Sequence, residues 1–239
     1  MTQSIIFTNC KEVPEEYNPT PATVSVPDWY KNLESYIGGK KDTDGKGGTL
    51  ATAKRCMPLF DAIVSGYILY TYCDLVISQR HEYGKINGNT HPAFEWPSLE
   101  PLSFHPKEQL PEHPNGEAHE IQYPKWNNAW SIKTPPGYSC IFLPPLHREN
   151  SMIIFPGVVD TDTYHGLINL PFVLKDPKME GLIPAGTPIA QVIPFKRDDW
   201  QMQFGDSKDI SDQKKSETKV RSLFFDSYKK QFRQSKSYR

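Results

Sequence analysis

The sequence predicts a mainly β protein, a barrel or sandwich of short strands carrying an extended N-terminal arm, one or two short helices and a C-terminal basic helix. Three observations predict it. Runs rich in aromatic and β-branched residues recur between Gly- and Pro-containing turns, at 129–133, 138–143, 152–155, 167–174 and 189–195. The 22 prolines and 12% aromatics of the 239-residue chain break helices and favour short strands with irregular loops. In the tail the apolar spacing changes to three and four, the period of a helix.

The first 48 residues form the arm. Pro14, Pro19, Pro21 and Pro27 hold it in polyproline or loop conformations, and Val26-Pro27-Asp28-Trp29-Tyr30-Lys31 supplies a short aromatic anchor. A Gly- and Lys-rich linker at 38–48 follows. The β domain is expected over 49–200. It opens on a helix capped by Thr49 with Leu50, Ala53 and Met57 at helical spacing, and Pro58 kinks this helix or starts a second one through Phe60, Ile63 and Val64. A strand is expected from 67 to 77. Seven prolines then interrupt 81–126, which is read as an insertion with short strands of its own or as a functional loop.

From residue 201 the chain is a helical tail. Val220, Leu223, Phe224, Tyr228 and Phe232 make one apolar stripe on a basic helix, and ten basic residues stand against four acidic ones from Ser207 onward. The stripe is expected to close the protein's own core or a subunit interface, with nucleic-acid or membrane contact as the other use of the basic face. A formal charge of -1 gives no global attraction to nucleic acid. No apolar run reaches membrane-spanning length, and the first nine residues lack a signal peptide's basic start and apolar stretch, so no membrane partner is expected. Cys10, Cys56, Cys73 and Cys140 are scattered without a Cys-x-x-Cys pair, and reduced, mostly buried thiols are the expectation.

The chemistry-bearing stretch is Gly157-Val158-Val159-Asp160-Thr161-Asp162-Thr163-Tyr164-His165-Gly166, with Gly186-Thr187-Pro188-Ile189-Ala190-Gln191-Val192-Ile193 following. Two carboxylates, a tyrosine and flanking glycines on a strand-turn-strand segment suit a nucleotide pocket. Asp160 or Asp162 would orient and deprotonate a water in a hydrolase, and either could instead cap a tight β turn while Tyr164 fills a subunit interface. Five of the seven histidines, His81, His91, His105, His113 and His119, fall in the insertion without zinc-ligand spacing, so no protein metal site is expected. His147 and His165 lie beside the motif and are better placed for ligand contact.

This pair of segments resembles the third and fourth motifs of the dUTPase and dCTP-deaminase superfamily, and Ser65-Gly66-Tyr67-Ile68-Leu69-Tyr70 is similar to its first motif. The resemblance implies a dUTPase-like β-clip or distorted barrel, a homo-oligomer with a trimer favoured, and nucleotide contacts by Tyr164, His165, Gly157, Gly166, Gln191 and Arg148. If the chain is active, Asp160 and Asp162 are the implied catalytic residues and magnesium the implied cofactor. The chain departs from the family at Ile68, at Thr187-Pro188, at the inserted Thr163, and at Pro144-Pro145-Leu146-His147-Arg148 in place of a phosphate-binding Arg-Ser pair. The glycine-rich fifth motif is absent. Several transition-state contacts are thereby lost, each ordinarily worth about a hundredfold or more in rate.

The order of Pro27-Asp28-Trp29-Tyr30-Lys31, Lys54-Arg55-Cys56-Met57-Pro58-Leu59-Phe60-Asp61-Ala62 and Trp130-Ser131-Ile132-Lys133-Thr134-Pro135-Pro136-Gly137 further resembles a family of T4-like and marine tailed-bacteriophage proteins, a likeness that implies no activity. The expected function is a phage structural or interaction protein on a catalytically degenerate dUTPase-like fold. It would be partnered by itself and by other phage structural proteins, in the virion or in the host cytoplasm during infection. The alternatives are a nucleotide triphosphate pyrophosphatase or deaminase, and a nucleotide-binding protein that does not hydrolyse.

Overall fold

In the computed structural model of the chain the described residues are 3–41, 50–78, 85–86, 89–90, 93–95, 100–110, 122–222 and 227–239. They fall into two units, one made of 1–22 with 66–197 and the other of 23–65 with 198–239. The protein is mainly β, and every strand pair among the described residues is antiparallel.

The first unit carries β1 (Ile6–Asn9), β2 (Thr20–Pro21), β3 (Tyr67–Tyr70), β4 (Leu75–Ser78), β5 (Lys85–Ile86), β6 (Asn89–Thr90), β7 (Ala93–Glu95) and β8 (Leu102–Pro106). It continues with β9 (Gln122–Trp126), β10 (Trp130–Lys133), β11 (Tyr138–Leu143), β12 (Met152–Ile154), β13 (Gly157–Val159), β14 (Leu170–Leu174), β15 (Gly181–Ile183) and β16 (Pro188–Lys196). A five-stranded sheet runs β13-β11-β16-β3-β2, a four-stranded sheet β12-β14-β9-β8 and a three-stranded sheet β15-β4-β7, while β1 pairs with β10 and β5 with β6. Ile189, Ala190, Gln191 and Val192 of β16 are all buried, as expected of a central strand covered on both faces. Trp126, Phe142, Phe172, Ile132, Ile154 and Met152 lie in one continuous core built from these sheets.

Two elements of this unit differ from the sequence expectation. The strand expected over 67–77 is split into β3 and β4, because Thr71 and Asp74 turn aside to hold the 184–187 turn. The Thr71 amide donates to the Thr187 carbonyl (2.9 Å), its hydroxyl to the Pro184 carbonyl (2.9 Å), and the Asp74 carboxylate accepts from the Ala185 amide (2.8 Å). The arm is not loop throughout, since β1 and β2 each find a partner in β10 and β3. The short strands that are one reading of 81–126 are present, with β8 and β9 pairing with each other from Leu102↔Trp126 to Pro106↔Gln122 and β9 also joining β14. His81, His91, His113 and His119 lie outside the described residues.

The second unit holds α1 (Asp28–Asn32), α2 (Met57–Val64), α3 (Ser207–Ser222) and α4 (Ser227–Gln231). Pro58 stands in the first turn of α2, where its missing N–H costs nothing. The helical start expected at 49 is instead a short 3-10 turn, Ala53–Arg55, with the Thr52 hydroxyl accepting from the Lys54 amide (3.2 Å); Thr49 is outside the described residues. Tyr30, Ile63 and Val64 form the small core of this unit, with Val26, Leu59 and Phe60 against them. Asp61 of α2 is locked by the tail: the Arg233 Nη2 donates to its Oδ1 (2.7 Å) and the Lys236 ammonium to its Oδ2 (2.8 Å). Those donors, Arg233 first, hold the Asp61 carboxyl below its usual range against the opposing effect of burial. Val220 and Tyr228 of the expected apolar stripe are exposed, and the side chains of Leu223 and Phe224 lie outside the described residues. Among the described residues no helix is long and apolar enough to cross a membrane.

Candidate functional site

The register of the five-stranded sheet assembles the motif. Pairing of β11 with β13 sets Cys140 opposite Val159, and pairing of β11 with β16 sets Tyr138 opposite Lys196. The residues just past these strand ends therefore meet: the Pro135–Gly137 turn before β11, the 160–164 turn after β13, and Arg197 after β16. The Arg197 amide closes the corner by donating to the Gly137 carbonyl (2.9 Å).

Asp162 is the centre of this corner. Its Oδ2 accepts the Gly137 amide (2.8 Å) and the Arg197 Nη2, and its Oδ1 accepts the Arg197 Nη1 (2.9 Å). The side chain keeps only 6% of its exposure. The guanidinium first, and the backbone amide second, hold its carboxyl down at about 2, and the same bond pushes the Arg197 guanidinium up. Asp160 lies at the rim, 63% exposed, with its Oδ1 accepting the Ser139 hydroxyl (2.6 Å) and the Arg197 Nη1 (3.3 Å). Between them Thr161 points inward and is fully buried, its hydroxyl sharing a bond with Thr134 (2.7 Å) and meeting the Cys140 sulfur (3.4 Å). The alternation of Asp160, Thr161 and Asp162 thus ties three chain segments together.

The turn itself is tight. The Thr163 and Tyr164 amides both donate to the Asp160 carbonyl, at 3.0 and 2.8 Å. The Tyr164 ring folds back against Gly166 and its hydroxyl donates to the Leu167 carbonyl (3.3 Å), so half of its surface stays open. His165 is exposed, with Nε2 at 3.3 Å from the Asp162 carbonyl, and its own carbonyl accepts the Ser131 hydroxyl (2.7 Å). Gly157 pairs with Phe142 across β13 and β11 in open space.

Gln191 and Arg148 form a separate group. Gln191 is buried in β16, where its Oε1 accepts the Leu146 amide (2.9 Å) and lies 3.5 Å from the Arg148 Nη1, which also donates to the Leu146 carbonyl (3.2 Å). Burial pushes the Arg148 guanidinium pKa down. Gln191 precedes Arg197 by six residues along an extended strand, a separation of roughly 20 Å at ~3.3 Å per residue. The structure therefore gathers Asp160, Asp162, Tyr164, His165 and Gly166 at one end of β16 and Gln191 with Arg148 further along it.

The residues present do not fit a magnesium–triphosphate site. Ile68 is a fully buried β3 residue paired with Gln191, Pro188 offers no side-chain donor, and the Asp162 oxygens that would face a cation are filled by a guanidinium. Among the described residues no group of three or more His, Cys, Asp or Glu side chains is arranged around a common metal position. Arg197, the residue that decides the chemistry of the corner, was missed by the motif reading. Its only sequence signal is its place two residues beyond the strand expected over 189–195.

No protein-family model matches the chain and no curated protein matches its sequence. Among solved structures it is similar to a mutant dUTPase from phage phi11 of S. aureus, with a TM-score of 0.35 and 8% identity over 85% of this chain and 97% of that one. A mutant dUTPase of Staphylococcus bacteriophage 80alpha solved with dUpNHpp gives a TM-score of 0.35 and 11% identity, over 86% of this chain and 90% of that one. Superpositions this loose carry no argument about the site.

Proposed function

We propose that the chain is a non-catalytic structural or interaction protein that assembles with further copies of itself, a trimer being the favoured unit, and with other phage structural proteins in the virion. The observation that carries this reading is the segment between β16 and α3. Trp200, Met202 and Phe204 alternate along it and are 90%, 82% and 92% exposed. That is the spacing of one face of a β-strand, placed where the described residues offer it neither a core nor a partner strand. Burying each side chain against a second copy is worth on the order of 2 kcal/mol.

The competing hydrolase or deaminase reading requires a carboxylate able to take a proton from water. Asp162 has its oxygens occupied by Arg197 and Gly137 and a carboxyl pKa of about 2, which makes it a poor base near neutral pH. Light scattering on the full chain, against a variant with Trp200, Met202 and Phe204 all replaced by Ser, tests the proposal. The expected result is a trimer of the 27.3 kDa chain that falls to monomer in the variant. A monomeric parent protein, or magnesium-dependent turnover of a deoxynucleoside triphosphate that disappears in Asp160→Asn or in Asp162→Asn, would overturn it. Mass spectrometry of purified particles tests the virion assignment, and absence of the chain there would refute it.

A further inference from the structure

The charge of the chain is unevenly divided. The 23–65 and 198–239 unit holds sixteen basic and twelve acidic residues, whereas the remainder holds eleven basic and sixteen acidic. Within the basic unit a hollow of about 390 Å³ is lined by Lys31, Lys54, Arg55, Lys229 and Arg233, with no acidic residue on its wall among the described residues. Its size falls within the roughly 300 to 1,000 Å³ typical of small-molecule sites. We propose that this hollow binds a phosphate-bearing anion of the size of an inorganic triphosphate or a nucleoside phosphate.

Lys54 and Arg233 are held in place by contacts that leave N–H donors over. The Lys54 ammonium donates to the carbonyls of Tyr30 (2.7 Å) and Lys31 (3.0 Å), while the Tyr30 hydroxyl donates back to the Lys54 carbonyl (3.1 Å). This reciprocal pair fixes the ammonium without a carboxylate, and uses two of its three N–H donors among the described residues. Arg233 gives Nε and Nη2 to Asp61 and stacks over the Phe60 ring at 5.7 Å, which orients its fork and leaves Nη1 over. Lys31 is paired with Asp28 (3.1 Å) on the exposed side of α1. Lys229 lies exposed on α4 with no hydrogen-bond or ion-pair partner among the described residues. Five cationic side chains around a concave wall, Lys31 paired with Asp28 and Arg233 with Asp61, concentrate a field that attracts a multiply charged anion. Pre-set donors lower the ordering cost of binding it.

Calorimetric titration of the full chain with inorganic triphosphate at low salt tests the site. Saturable binding is expected, weakened about tenfold by Lys229→Gln and by Lys54→Gln, the loss typical of one charge-assisted hydrogen bond. Lys229→Gln is the safer variant because Lys54 also supports the backbone at Tyr30 and Lys31. A nucleoside triphosphate that binds as tightly as the inorganic probe identifies phosphate as the recognised group. Tighter binding, still lost in Lys229→Gln, adds a nucleoside contact. Absence of binding, an affinity untouched by both variants, or an equal loss in a Lys208→Gln, Lys214→Gln control on α3 would overturn the proposal. None of these outcomes depends on self-association.

Discussion

Arg197 grips both oxygens of Asp162, thirty-five residues before it in the chain, while the Gly137 amide donates to the same carboxylate from a third segment. These bonds join the ends of three strands at the motif that suggests chemistry in the sequence. Charge-assisted, two-pronged bonds of this kind are specific in direction, which suits a corner that must hold β11, β13 and β16 in register.

The clasp makes stability depend on acid. The Asp162 carboxyl falls from about 3.9 in an unfolded chain to about 2 in the folded one. A depressed folded value means its contribution is fully present above about pH 4 and lost as pH falls through about 2. Urea midpoints measured from pH 6 to pH 2 should drop more steeply in the parent protein than in Asp162→Asn. Parallel curves below pH 4 would show that the bond contributes nothing.

Gly66 and Gly137 both have positive φ, 70° and 84°, yet they should respond differently to alanine. A Cβ at Gly66 would lie 2.0 Å from the Val192 carbonyl oxygen, in the ladder between β3 and β16, whereas one at Gly137 meets nothing within 4 Å. Gly137→Ala should cost about 1–2 kcal/mol, the left-handed penalty alone. Gly66→Ala should cost more than about 4 kcal/mol or prevent folding. Chemical denaturation of the two variants checks the contrast.

Arg233→Ala should destabilise the 23–65 and 198–239 unit by about 2 kcal/mol, less than the ~3–5 of a fully buried pair, because Arg233 is 22% exposed and Lys236 remains to share the charge. Truncation after residue 232 should cost more, since it removes both cations and leaves Asp61 buried alone. Guanidinium unfolding followed by the fluorescence of Trp29, on α1 of that unit, measures both.

The four cysteines should label in two classes. Cys73 is buried with its thiol pushed up to about 11, and burial raises Cys140 as well, while Cys10 and Cys56 are exposed. A disulfide reagent at pH 8 should modify two thiols quickly and two only on unfolding. Four fast thiols would contradict the packing of β11. The even split also departs from the mostly buried thiols that the scattered cysteines suggested.

Much of the β architecture is legible in the chain because strands such as β11 and β16 are continuous runs of apolar and β-branched residues bounded by Pro and Gly. What escapes is what depends on distant partners. Thr71 to Asp74 reads as uninterrupted strand, and only the 184–187 turn, more than a hundred residues away, explains why it bends. β15 is three residues long, Gly181–Ile183, and exists as a strand through its pairing with β4. Asp160 and Asp162 are legible as a motif, but their pairing with Arg197 is not, because the position of Arg197 opposite Gly137 follows from strand register alone.

The position of β16 sets an order on synthesis. Among the described residues it is the last strand made, yet it lies between β11 and β3, so the five-stranded sheet stays open at its centre until residue 196 has left the ribosome. Asp61 waits longer still, since Arg233 is 172 residues downstream. Until then the nascent chain presents two facing strand edges, and a chaperone or a sister chain that covers them during translation would govern the yield of native protein.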